Sequence, residues 1–244
     1  MGKTVIITGG TSGIGLGTAK VFLRNGYNVV VAGRNEERGK AALAELNGGT
    51  HALYFKCDVS VESDVQSLVA FAVEKFGQLD VMVANSGAAR AVTIDKEDFD
   101  GWNHIINTDL NSIFFTNRAA ILQFRKQGTG GSIVNVSSIA GICGMTSSHA
   151  YAAAKAAAAN LTRSEGVTYA KEGIRVNAVA PGYVKTPLIA GLPESRVKEM
   201  EALHPIGRFS EPEEIGEAIY FLASEKASFI TGVVLPVDGG YSII

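Results

Sequence analysis

The sequence predicts an α/β fold: a single doubly wound domain whose seven-stranded parallel sheet carries helices on both faces. Three observations predict it. Seven short β-branched runs recur, each nearly continuously apolar rather than alternating, as strands buried on both faces should be. Helical patterns fill the segments between them, and strand alternating with helix implies a parallel sheet. No linker, low-complexity tract or repeat breaks the 244 residues, so one domain covers 1–244.

The elements follow in order. "TVIIT" (4–8) is the first strand, and it runs into the glycines of "TGGTSGIG" (8–15). Glycine permits the sharp turn there, and a helical pattern opens over 14–25. "NVVVA" (28–32), "HALYFK" (51–56) and "DVMVAN" (80–85) are the next strands, with helices predicted over 35–46 and 61–76. One long helix is expected over 98–126, ending at Arg125-Lys126 before a glycine turn. "GSIVNVS" (131–137) is the fifth strand. In "SHAYAAAKAAAAN" (148–160) alanine dominates, and alanine is the strongest helix former, so 151–171 reads as a helix. "IRVNAVAP" (174–181) and "GVVLPVD" (232–238) complete the sheet around a helix at 211–223. The segment 185–205 breaks the rhythm with three prolines and a short amphipathic stretch. A connection of this length is expected to be a lid over a site.

Bulk composition excludes several function classes. The apolar fraction of 46% suits one large core, and a net charge of −2 offers no polyanion-binding surface, so no nucleic-acid partner is expected. Cys57 and Cys143 have no paired or CxxC spacing and read as reduced thiols. "MGKTVIITGG" enters a strand without a signal-peptide pattern, and no apolar run is long enough to span a bilayer. A cytoplasmic protein with no membrane partner is the expectation. No residue cluster has metal-ligand spacing.

Ligands of open parallel sheets sit beyond the carboxyl ends of the strands, and four motifs fall there. Gly9, Gly13 and Gly15, with Thr11, Ser12 and Ile14 among them, join the first strand to its helix. Glycines let the backbone approach a ligand closely, and the helix N-terminus offers free N–H groups to a phosphate. The G-x-x-x-G-x-G spacing differs from the commoner dinucleotide fingerprint. At the end of the second strand an acidic residue would accept bonds from an adenosine ribose, but Gly33 and Arg34 stand there. A guanidinium binds a 2′-phosphate and no carboxylate repels it, so NADP(H) is predicted over NAD(H). Ser137 and Ser138 close the fifth strand. Tyr151 and Lys155 lie one turn apart on one helix face. An ammonium about 4–6 Å from a phenol favours the phenolate, which suits proton exchange near neutrality.

Taken together, Gly9–Gly13–Gly15, Asp58-Val59, Ser138, Tyr151-x-x-x-Lys155 and "PGYVKTP" (181–187) resemble, in order and spacing, the single-domain branch of the short-chain dehydrogenase/reductase family. The resemblance runs from the first strand to "DGG" (238–240). It implies a Rossmann-type domain, a nicotinamide cofactor and reversible hydride transfer between that cofactor and a carbonyl or alcohol. The matching residues imply that Tyr151 is the general acid in reduction, that Lys155 makes the phenol a better acid and holds the nicotinamide ribose, and that Ser138 bonds the substrate oxygen. They also imply Asp58 and Val59 along the adenine, Asn85 near the adenosine ribose with Gly87 beside it, and Ile14 near the nicotinamide side. Pro181, Gly182, Val184 and Thr186 complete the implied cofactor set, with Thr186 on the carboxamide or pyrophosphate. Family members are commonly tetramers. A homotetramer is therefore expected, with 98–126 and 151–171 at an interface where small alanines suit close helix approach.

Two departures from the family pattern matter. "ANSG" (84–87) stands where the family has Asn-Asn-Ala-Gly, and only Asn85 and Gly87 match. "DLNSIFF" puts Asp109 where the family has a catalytic asparagine that helps hold a proton-relaying water. An ionised Asp accepts but cannot donate, and its charge opposes that of Lys155. Asn111, about 200° round a helix, cannot simply substitute. Asp109 is expected to take the site itself, ion-paired or protonated. Substrate selectivity is expected in 87–93, 139–149 and 183–205, with Ile142, Cys143, Met145, His149 and Tyr183 as pocket candidates. The predicted substrates are small or medium ketones and aldehydes or their secondary alcohols. One alternative is a 3-oxoacyl-[acyl-carrier-protein] reductase docking its acidic carrier on Arg90, Arg125 and Lys126. The other is a non-catalytic NADP(H)-binding sensor, which only Asp109 favours.

Overall fold

A computed structural model describes residues 2–187, 189 and 191–244. Its seven strands form one sheet in the order β3-β2-β1-β4-β5-β6-β7. They are β1 (Thr4–Thr8), β2 (Asn28–Gly33), β3 (Ala52–Lys56), β4 (Val81–Ala84), β5 (Gly131–Val136), β6 (Ile174–Pro181) and β7 (Val234–Val237). Every neighbouring pair is parallel; β1 pairs β2 from Thr4 with Asn28 to Thr8 with Ala32, and β4 from Val5 with Val81 to Ile7 with Val83. The strand order reverses between β1 and β4, which opens a crevice at their carboxyl ends.

Side-chain alternation sorts β1 between two cores. Val5 and Ile7 face one layer, with Phe22 of α1 (Gly13–Arg24) and Ile215 and Ile219 of α8 (Pro212–Ala223). Ile6 faces the other, with Leu68 of α3 (Glu62–Phe76) and Phe124 of α5 (Ser112–Gln127). Burying each such side chain is worth about 1.5–3 kcal/mol. Between β2 and β3 runs α2 (Glu36–Leu46), capped by Asn35, whose side chain accepts from the Arg38 N–H.

The segment 98–126 is helical as the sequence predicts, with a change of pitch inside it: α4 (Phe99–Ile106) runs through a single π-helical turn, Asn107–Asn111, into α5. No proline or glycine marks that turn. What holds it is tertiary: Asp109 is turned inward, fully buried, onto partners in two other elements. Single π turns inside α-helices occur often at functional sites.

α6 spans His149–Tyr169 and starts two residues before the predicted helix. Ser148 ahead of it has φ 70, and its N–H donates to Val92 O at 3.2 Å. The segment 185–205 contains α7 (Glu194–Ala202), the short amphipathic stretch seen in the sequence. Of the predicted lid, Leu188 and Ala190 lie outside the described residues.

Candidate active site

The crevice is floored by a loop made of backbone. Gly9 (φ 63) and Gly13 (φ 51) take left-handed conformations that favour glycine. A Cβ on Gly15 would stand 2.3 Å from Gly9 O, and one on Gly10 would stand 2.8 Å from the Val31 side chain. Thr8 ties this loop to the end of β4: its Oγ1 accepts from the N–H groups of Asn85 (3.0 Å) and Ser86 (3.1 Å). Asn85 returns the contact, its Nδ2 donating to Thr8 O at 2.8 Å and Gly9 O at 3.3 Å. The Asn85 amide is thus engaged in shaping the loop. Neither Thr8 nor Gly10 was singled out by sequence; a threonine closing an apolar strand before a glycine doublet was the available signal.

Around this loop lie the other predicted cofactor residues. Ser12 is the N-cap of α1 and makes no side-chain capping bond, so the first-turn N–H groups keep their capacity for an anion. Ile14 is half-buried against the α1–α8 core. A Cβ on Gly13 would lie 3.0 Å from the Thr186 methyl, and one on Gly33 would lie 3.1 Å from Thr11. Arg34 is exposed and forms no ion pair among the described residues. The Asp58 carboxylate accepts from the Ser60 Oγ (2.7 Å) and N–H (3.0 Å), which holds it below the usual carboxylate range, and Val59 is buried beside it. A loop with no room for side chains, an open helix N-terminus and a free guanidinium fit a phosphorylated dinucleotide.

The opposite wall is built from charge. Lys155 Nζ donates to Val136 O at 3.0 Å, lies 3.2 Å from Asp109 Oδ2, and sits 5.5 Å from the centre of the Tyr151 ring. Its side chain is 4% exposed and that of Asp109 0%. Asp109 Oδ1 accepts from the Ala88 N–H at 2.8 Å. Burial alone would lower the Lys155 pKa, but the Asp109 carboxylate and the Tyr151 oxygen more than offset it and hold the ammonium charged. Burial pushes the Asp109 carboxyl up, against the pull of Lys155 and the Ala88 N–H. Gly87 makes room for this pair: a Cβ there would stand 2.7 Å from Asp109 Oδ2 and 3.3 Å from Lys155 Nζ. Asn111 stays out of the corner, its amide bonding Asn107 at the surface, as its position round the helix implied.

Ser138 and Tyr151 are brought to this wall by one junction. Ser137 Oγ donates to Lys155 O at 2.9 Å, and a Cβ on Gly141 would press within 2.7 Å of the Lys155 backbone. The end of β5, the turn Ile139–Gly141 and α6 are therefore fixed to one another. Ser138 Oγ accepts from Ala140 N–H at 3.1 Å, which leaves its own proton free to donate. Ser137 is thus tied up in the scaffold, and Ser138, the serine the family resemblance singled out, is the one with a proton to spare.

The predicted substrate residues divide. Ile142 is exposed and Cys143 and Met145 half-buried on the segment between Ser138 and α6. His149 Nδ1 is closed off from water without a partner. Tyr183 joins an aromatic cluster with His204, Phe209 and Tyr241, at centroid distances of 5.5, 5.7 and 6.2 Å. Pro181 pairs with Val237 in the sheet, and the Val184 side chain is buried in the α1–α8 core. Among the described residues no cluster of His, Cys, Asp and Glu could hold a metal, and no helix is long and apolar enough to cross a membrane.

Known proteins resemble this chain along nearly its whole length. A family model described as Enoyl-(Acyl carrier protein) reductase matches residues 9–242. A cis-4-hydroxycyclohexanecarboxylate dehydrogenase of Sinomonas cyclohexanicum is 45% identical over 243 residues, 99% of this chain and 97% of that protein. A cyclohexanol dehydrogenase of Acinetobacter sp. (strain SE19) is 39% identical, covering 98% of this chain and 95% of its own length. A 3-oxoacyl-[acyl-carrier-protein] reductase of Chlamydia pneumoniae is 38% identical over 98% of this chain and 97% of itself. Among solved structures, a tryptophan variant of actinorhodin polyketide ketoreductase with NADPH superimposes with a TM-score of 0.94 at 31% identity, covering 100% of this chain and 98% of that one.

Proposed function

The chain belongs to the short-chain dehydrogenase/reductase family of nicotinamide-dependent oxidoreductases, and on that premise we propose that it interconverts a secondary alcohol and its ketone with Tyr151 as the acid and base. The observation that carries the proposal is the buried Lys155 ammonium, 5.5 Å from the Tyr151 ring and facing a glycine loop shaped for a dinucleotide. The cofactor is NADP(H), held by Gly9, Gly13 and Gly15 at its phosphates and by Arg34 at the 2′-phosphate; Asp58, Asn85 and Thr186 frame the same crevice. When bound, it supplies or accepts the hydride.

The protein's own part is proton placement. In reduction, negative charge grows on the substrate oxygen; the Tyr151 hydroxyl gives its proton there and the Ser138 hydroxyl donates a second hydrogen bond. Lys155, fixed by Val136 O and Asp109, holds its positive charge beside the ring whose oxygen gives up the proton. Asp109 keeps that ammonium in place and closes the corner against Ala88. Oxidation runs the same contacts backwards.

Similarity to the Sinomonas and Acinetobacter enzymes favours a six-membered-ring alcohol or ketone as substrate. Residues 185–205 act as its lid, and the protein is a cytoplasmic homotetramer; Phe114 and Leu122 on α5 and Val167 on α6 are exposed apolar side chains suited to an interface. The acyl-carrier-protein reading keeps the support of the Chlamydia relative. It loses much of its docking patch, because Arg90 is paired with Glu97 and Asp98, and Arg125 with Glu172. Faster turnover of acetoacetyl thioesters than of cyclohexanone would favour it instead.

Replacing Tyr151 by Phe is the decisive test. The kcat/KM should fall by about 10²–10⁴ while NADPH affinity holds. Undiminished turnover would overturn the assignment. In the same assay NADPH should show a Michaelis constant roughly tenfold or more below that of NADH, and Arg34→Ala should erase the difference.

A further inference from the structure

The segment that follows Tyr183 is held down at both feet. Residues 200–210 are stitched to the sheet edge: Ile206 N–H donates to Gly239 O at 3.1 Å, Ser210 N–H to Tyr183 O at 3.1 Å, and Lys185 N–H to Ser210 O at 2.9 Å. Between them and the sheet stands His204, 3% exposed. Its Nδ1 lies 3.0 Å from Met200 O, a carbonyl that can only accept, so that nitrogen carries the hydrogen. Its Nε2 is then the acceptor for the Tyr183 N–H at 3.2 Å. One imidazole thus bridges the last turn of α7 to the residue after Pro181-Gly182. The ring is caged by Tyr241 and Phe209 at 5.4 and 6.0 Å. A Cβ on Gly182 would come within 2.8 Å of Nε2, so the glycine is what lets the ring in.

Between these feet the backbone bonds of the described residues are local. The backbone bonds of Ile189, Leu192, Arg196 and Val197 all return to carbonyls three or four residues back, and 191–196 is exposed throughout. We propose that His204 is a positioning residue: it latches the carboxyl end of the lid to the backbone after Pro181-Gly182, confining closure over the substrate to the stretch around α7, 191–199. The proposal rests on reading 185–205 as a lid. His204 touches neither substrate nor cofactor; it acts by fixing where the α7 end of the lid is tethered.

Two variants and two readouts test this. His204→Leu removes both bonds, whereas His204→Gln can still accept from the Tyr183 N–H. With a ring ketone and saturating NADPH, His204→Leu should raise the substrate KM about fivefold or more, His204→Gln by less, and kcat should stay within about threefold in both. A purely structural role would lower thermal stability and active fraction and leave KM unmoved, and that result overturns the proposal. The second readout needs no turnover. Limited trypsin should cut the wild type after Arg196 and Lys198 but spare Arg208, and His204→Leu should open Arg208 to cleavage. If Arg208 stays protected in that variant, the latch is refuted even where no ketone is turned over. If Arg208 opens but no substrate is found, the latch stands and the reaction assigned above falls.

Discussion

The two walls of the crevice are built on opposite principles. The glycine loop from Thr8 to Gly15 contains no charge, and its form comes from left-handed backbone and the Thr8–Asn85 bonds. The Asp109–Lys155 corner is two buried charges on two helices, brought together by a π turn and a serine clamp. The difference teaches what each can tolerate. A wall made by shape should be indifferent to pH and fail on one added carbon. A wall made by charge should accept an isosteric change and fail when one partner is removed.

The largest expected effect is on the charged wall. Asp109→Ala strands the Lys155 ammonium in the interior, a loss typically worth about 3–5 kcal/mol, and thermal melting should fall by roughly 10 °C. Asp109→Asn keeps shape and an acceptor oxygen, so kcat/KM should be retained or raised. Abolished activity there would show that the acid has a role of its own. On the shape-built wall, Gly15→Ala should cost about 1–3 kcal/mol and weaken NADPH binding by tenfold or more, equally at acid and alkaline pH. Normal NADPH binding by that variant would break the comparison.

The smallest effect concerns a half-buried carboxyl, Glu165, with no ion-pair partner among the described residues. Burial pushes the Glu165 carboxyl up to about 7, with the Asn117 amide at 2.7 Å its hydrogen-bond partner. An acid whose pKa is raised on folding stabilises the fold fully below its unfolded value, and that contribution is lost as pH rises through about 7. Glu165→Gln should therefore raise the melting temperature by a few degrees at pH 8 and leave it unchanged at pH 5. Identical pH–melting curves for the two proteins would show that Glu165 ionises freely in the fold, and the contrast between paired and unpaired buried charge would lose its control.

The same contrast explains what was legible in the sequence. Continuously apolar strands and glycine spacing are local signals, and all seven strands fall where they were read, with ends shifted by a residue or two. Tyr151 and Lys155 were readable because their relation is one helical turn. The π turn within 98–126 was not, because the local pattern there is that of a plain α-helix and only long-range partners, Lys155 and Ala88, show what holds the turn. Tyr183 stood out in the sequence as an aromatic after Pro181-Gly182, but its packing with His204, Phe209 and Tyr241 joins residues up to 58 apart and has no local signal. His204 gave no signal at all, being a single imidazole before a proline. Asp109 was visible as an anomaly, but its burial and its ion pair appear only once the chain is folded.

The π turn at 107–111 also constrains the gene. It holds one residue more than an α-helix would place there. Deleting a single codon across it would close the turn into regular α-helix and leave α5 facing much as before, since four α-helical residues sweep about the same arc. What would be lost is the widened turn that presents Asp109 to Lys155 and to the Ala88 N–H. Point changes can be tried here one at a time, but the length of this stretch is not open to trial.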